Sequence, residues 1–152
     1  MSIRIIAVGK KHEPWVSEGI LRYEKRLRRP FNIEWVVLPH SSLSDVSARQ
    51  EESQRILSRL NASDFVILLD ETGQSVSSLE FSARLVSKLD LSRRVVIVIG
   101  GAYGVDETIF KRADFVLSLS RLVFPHQLVR LILTEQIYRA QEIANNNPYH
   151  HS

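Results

Sequence analysis

Five short apolar runs punctuate the chain, and the stretches between them carry apolar residues at helical rather than alternating spacing. Residues 3–8, 33–38, 65–69, 95–99 and 115–119 read as strands, the second of them closed by Pro39. Residues 14–28 read as a helix with Pro14 near its start, and residues 44–60 as a second helix with Val46, Ile56, Leu57 and Leu60 inward. Further helices are predicted over 78–89, 106–111 and 127–143. The runs 65–69 and 95–99 are continuously apolar, which strands buried on both faces require. The expected fold is therefore α/β, a parallel sheet covered by helices. In such sheets ligands sit beyond the carboxyl ends of the strands, where Leu69-Asp70-Glu71, Gly100-Gly101 and Leu119-Ser120 fall.

The last predicted helix is apolar over much of its circumference, through Leu128, Val129, Leu131, Ile132, Leu133, Ile137, Tyr138, Ala140 and Ile143. A helix covering one sheet face needs only a stripe, so this width predicts burial on a second side, by another subunit or as a central helix within the protomer. Glu135 and Arg139 form an i,i+4 pair on it, and His126, Arg130 and Thr134 lie four apart along one side.

Composition bounds the class. The 152 residues are most simply one domain, and 44% hydrophobic with 24% charged residues is ordinary for a globular protein. The absence of cysteine excludes disulfides, a thiol nucleophile and thiolate metal sites. Metal-binding, P-loop and hydrolase motifs are also absent, so no metal is expected. The N-terminus enters a strand directly, with no signal-like apolar segment and no membrane-length run, so a cytoplasmic location without membrane contact is expected. The net charge is only +3, yet residues 1–30 hold eight Lys or Arg against three Glu. That local excess suits a polyanion such as RNA, or a solvated helix face.

The candidate site lies in the last third. The strand 95–99 runs into Gly100-Gly101-Ala102-Tyr103-Gly104, where Gly100, Gly101 and Gly104 let the backbone turn and a flat ligand approach. The spacing is not that of a dinucleotide fingerprint, and the turn follows a late strand, which disfavours a dehydrogenase. Residues 119–124 would supply a second wall. A non-catalytic nucleotide- or RNA-binding module is the alternative to an enzyme on these features alone.

Taken in order, Ile99-Gly100-Gly101, Gly104, Leu117-Ser118-Leu119-Ser120, Phe124-Pro125-His126-Gln127-Leu128-Val129-Arg130, Glu135-Gln136-Ile137-Tyr138-Arg139-Ala140 and Pro148-Tyr149-His150 resemble the large-subunit ribosomal RNA pseudouridine-N3 methyltransferases of the SPOUT class. Ile6-Ala7-Val8-Gly9-Lys10 and Tyr23-Glu24-Lys25-Arg26-Leu27 extend the likeness over nearly the whole chain. The resemblance implies a C-terminal trefoil knot, a homodimer, S-adenosylmethionine as methyl donor and 23S rRNA in the ribosome as substrate. It places the donor among Leu69, Gly100, Leu119, Ser120, Arg121, Leu122, Val123 and Phe124. Members of the family often carry Arg or Lys after Tyr-His, whereas this chain has His151-Ser152.

A sulfonium methyl is already electrophilic, so the implied reaction needs alignment, exclusion of water and loss of the imide N3 proton. His150 is the candidate base, with His126 as alternative and Tyr149 shaping the base pocket. Arg130 and Arg139 would hold phosphate, with Lys10 and Lys11 as further RNA contacts. His12 and His40, in loops, receive no role, and Asp70 and Glu71 read as a solvated loop.

Overall fold

A computed structural model describes residues 3–91 and 93–151. Five strands, β1 (Ile3–Val8), β2 (Ile33–Leu38), β3 (Phe65–Ser75), β4 (Val95–Ile99) and β5 (Phe115–Ser118), form one sheet in the order β2-β1-β4-β3-β5. Every pairing is parallel. All five residues of β4 are buried, which explains why its sequence is an unbroken Val and Ile run.

Helices α1 (Pro14–Glu24), α2 (Asp45–Leu57), α3 (Ser78–Asp90), α4 (Glu107–Arg112) and α5 (His126–Ala144) connect and follow the strands. Alternate strand residues feed two cores. Ile3, Ile5, Ile67, Ile97 and Leu117 face one layer with Phe81 and Leu85 of α3 and Leu133, Ile137 and Tyr138 of α5. Ile6, Val8, Leu68 and Val98 face the other, with Ile56 of α2 and Ile109 of α4. The result is a three-layer α/β/α arrangement, as the continuous strand pattern predicts.

Three elements differ from expectation, the first being α1, which stops at Glu24 instead of running to residue 28. Val46 is 56% exposed rather than inward, because the buried face of α2 runs through Ala48, Glu52, Ser53 and Ile56. Two of those four are polar, so hydrophobic spacing alone misplaces the face. Helix α5 packs against both α1 and α3 as well as the sheet. Its apolar width is thus used in part within the protomer: Leu133, Ile137, Tyr138 and Ala140 are buried, while Leu128, Val129, Leu131, Ile132 and Ile143 remain half-buried.

The third difference is in β3, which extends past Leu69 to Ser75. Leu117 of β5 is opposite Leu69 and again opposite Gln74, so residues 70–73 bulge out of the ladder at the carboxyl end of the sheet. Gly73 closes the bulge against β5, where an added Cβ would lie 2.6 Å from the Val116 carbonyl oxygen.

Candidate active site

The carboxyl ends of β1, β4, β3 and β5 open into one cavity of about 1110 Å³. Its lining includes nearly every residue expected of a donor site: Leu69, Gly100, Gly101, Gly104, Leu119, Ser120, Leu122, Val123 and Phe124. Arg121 is exposed and lies outside the lining. Lys10, Lys11, His126 and Arg130 also line it.

The Gly turn is tight, with the Gly104 amide donating to the Gly101 carbonyl at 3.0 Å. Gly104 has φ of +73° and open space around it, so its backbone conformation demands glycine. Gly101 is required for a different reason. A Cβ there would come within 2.7 Å of Glu52 Oε1, on the core side of the turn, rather than enter the ligand's approach. Glu52 is 2% exposed; its Oε2 accepts from the Ser41 amide at 2.7 Å, and Oε1 has no partner. Ser53 accepts from the Asp106 amide at 2.9 Å, and Arg49 donates to the Tyr103 carbonyl at 2.9 Å. The polar face of α2 is therefore the brace that holds the turn.

The opposite wall is shaped by serines. Ser118 donates to the Ser120 carbonyl at 3.0 Å, and Ser120 Oγ accepts from the Leu122 amide at 2.9 Å. This leaves Leu122 and Val123 72% and 80% exposed, an apolar flap beside the Gly turn.

Beneath the β1 side lies Arg130, fully buried although charged. Its Nη1 donates to His12 Nδ1 at 3.1 Å and its Nη2 to His126 Nε2 at 3.0 Å, while Nε has no partner. Gly9, with φ of +138°, brings β1 close enough that an added Cβ would lie 3.5 Å from Nη2. Gln127 ties the same loop to α5, accepting from the Glu13 amide at 3.0 Å and donating to the Lys11 carbonyl at 3.3 Å. Burial and the adjacent guanidinium push His126 down to about 4 and lower His12 as well. Such burial shields Arg130 from direct contact with a phosphate, contrary to the expectation from sequence.

The tail residues are elsewhere. Tyr149 lies edge-on to Tyr138 with ring centroids 4.8 Å apart and donates to Glu135 Oε2 at 2.7 Å. Arg139 donates to the same oxygen at 2.7 Å and to His150 Nδ1 at 3.0 Å. Burial and Glu135 together raise the Tyr149 phenol, so it stays a donor. Neither Tyr149, His150 nor Arg139 lines the cavity. On α5 the cavity-lining set ends at Arg130 and the contacts of the tail begin at Glu135, about 7.5 Å further along the helix axis.

Sequence reasoning missed His12, Gly9 and Glu52. The signal for the first two is their place just past the carboxyl end of β1, next to the topological centre of a parallel sheet.

Residues 1–150 match a family model described as "Predicted SPOUT methyltransferase". The chain belongs to the SPOUT methyltransferase family. Within it, the protein named ribosomal RNA large subunit methyltransferase H from Parabacteroides distasonis is 40% identical over 156 residues, covering 99% of each chain. Its namesake from Dictyoglomus thermophilum is 43% identical over 154 residues, 99% of this chain and 100% of that one. A solved structure, a probable methylase family protein from Haemophilus influenzae, shares the fold with a TM-score of 0.57 at 13% identity, covering 99% of this chain and 70% of its own. The cavity of this SPOUT methyltransferase thus lies in a fold and a family that match along nearly the whole chain. Among the described residues no helix is long and apolar enough to cross a membrane, and no three His, Asp or Glu side chains converge as a metal site would need.

Proposed function

We propose that this SPOUT methyltransferase transfers a methyl group from S-adenosylmethionine to N3 of a pseudouridine in 23S rRNA. The observation that supports this best is one cavity at the carboxyl ends of four parallel strands, walled by a glycine turn and an apolar flap, in a chain about 40% identical along its length to proteins named as ribosomal RNA large subunit methyltransferases. The cavity suits the donor: Gly100 and Gly104 give a flat approach, and Leu119, Leu122, Val123 and Phe124 give an apolar wall for a heterocycle. When bound, the donor supplies an electrophilic methyl carbon and needs no metal.

The tautomers of three histidines follow from their arginine partners. Arginine only donates, so the ring nitrogen facing it in His12, His126 and His150 must be the unprotonated one. In the neutral ring the other nitrogen then carries the proton. His150 is accordingly a hydrogen-bond donor to the acceptor base, and the N3 proton leaves to solvent. The Arg139 contact supports a role for His150 in orientation and charge stabilisation, shared with Tyr149, in place of proton acceptance. Arg139, ion-paired with Glu135 and bonded to His150, orders the tail, whereas Arg130 acts through the histidines.

The tail that acts on a given cavity would come from the second protomer of a homodimer, a reading supported by the absence of Tyr149 and His150 from the cavity lining of their own protomer. The trefoil knot typical of the class would then lie between β3 and α5, the segment that supplies the Gly turn, the bulge and the flap. Cytoplasmic action on the ribosome is part of the same reading. The test is methylation of large-subunit rRNA in ribosomes lacking the modification, followed by mass spectrometry of the RNA. No mass gain at pseudouridine, with donor binding intact, would leave only a nucleotide-binding role.

A further inference from the structure

The two sides of the cavity carry opposite charge. Strands β1 and β3 flank β4 in the sheet, so the segments leaving them stand about 10 Å apart across the Gly100–Gly101 turn. The β1 side presents Lys10, Lys11 and His12, with Arg130 behind them; the β3 side presents Asp70 and Glu71 from the bulge. Glu13 is the one acid on the β1 side, and it is exposed.

Arg130 is the unusual member. Among the described residues it forms no ion pair with Asp or Glu, and it is fully buried with Nε unpartnered. Its hydrogen bonds go only to neutral rings, and the exposed Glu13 carboxylate offsets its charge through space without a direct contact, so an anion bound beside the rings would stabilise it further. The lone pair of His12 Nδ1 is engaged by that cation, which strengthens its Nε2–H as a donor. The ring cannot turn away: it stands edge-on to Trp35, with centroids 4.5 Å apart, and Trp35 is itself fixed by donating to Glu24 at 2.9 Å.

We infer that His12, backed by Arg130 and flanked by Lys10 and Lys11, binds the carboxylate of the methyl donor's amino-acid portion. This rests on the donor reading above and adds the residue that orients the donor within the cavity. The charge of Asp70 and Glu71 repels a carboxylate from the β3 side, so the donor enters in one direction. A phosphodiester at the surface would meet the exposed lysines without needing a histidine pinned on a buried guanidinium.

The test is calorimetric titration of the full chain with S-adenosylmethionine and with its decarboxylated analogue, which keeps the sulfonium and amine. His12→Leu should weaken S-adenosylmethionine about tenfold and leave the analogue unchanged. His12→Gln, which retains an N–H donor, should restore most of the preference and serves if the leucine variant misfolds. Equal effects on both ligands, or no effect on either, would overturn the assignment. So would a loss confined to binding of a large-subunit rRNA fragment, which would move the site to a backbone phosphate. A wild-type chain that binds neither ligand would overturn the donor reading itself, and this inference with it.

Discussion

The Tyr149 hydroxyl donates to Glu135 Oε2 at 2.7 Å, a bond that helps fasten the tail to α5 fourteen residues earlier. Arg139 binds the same carboxylate and stands 4.8 Å over the Tyr149 ring. Tyr149→Phe should remove the anchor while keeping the edge-on contact with Tyr138. We expect donor affinity within twofold of wild type and single-turnover methyl transfer reduced by roughly tenfold, about 1.4 kcal/mol of transition-state stabilisation. Unchanged transfer in the same protein would make the tail a structural feature only.

Acid should destabilise the fold before it protonates most carboxylates. His126 titrates near 4 when folded and near 6.5 when unfolded, and His12 is shifted in the same direction. The unfolded chain therefore binds more protons between those values, so stability falls as pH drops through this window. After allowance for partial solvent screening, His126 contributes roughly 1–2 kcal/mol of that loss. Thermal melts from pH 7 to 4 on wild type and His126→Gln check it: the variant should show the flatter profile.

Gly101→Ala and Glu52→Ala should be coupled. The new methyl at 101 would crowd Glu52 Oε1, whereas removal of the carboxylate opens the space. We expect Gly101→Ala alone to lower stability by about 1–3 kcal/mol and the double variant to recover part of it, a double-mutant cycle with a favourable coupling of at least about 0.5 kcal/mol. Denaturant melts of the four proteins give the number; simple additivity would separate the turn from its brace.

Replacing Ile132 with Glu tests the proposed homodimer, because Ile132 is half-buried in the protomer. Light scattering should then report a folded monomer. Ile137→Glu should instead give unfolded protein, since Ile137 is fully enclosed by the core. A fully dimeric Ile132→Glu protein would place the interface away from this part of α5.

What could be read in advance follows the type of force involved. The strands were legible because burial on both faces leaves no room for polar residues, as in Val95 to Ile99. The cavity walls were legible because Gly104 and the 119–124 segment lie in short range of strand ends. His12 was not: its contact with Arg130 spans 118 positions, and a lone loop histidine carries no local mark of it. Glu52 was hidden for the related reason that a charged residue on a helix reads as solvated until its partners, Ser41 and the Gly101 turn, are brought to it. The apolar width of α5 was legible, but its use was not: α1, α3 and the sheet bury Leu133, Ile137, Tyr138 and Ala140 and leave Ile132 half-buried.

The double opposition of Leu117 to Leu69 and Gln74 also bears on how such a protein can change over generations. Because strand pairing resumes at the same residue after the bulge, the intervening positions can gain, lose or exchange side chains without shifting the sheet by a single step. Gly73 marks a point where the frame reaches into that segment. Variation in residues 70–72 can therefore retune what the cavity accepts while the architecture beneath stays constant.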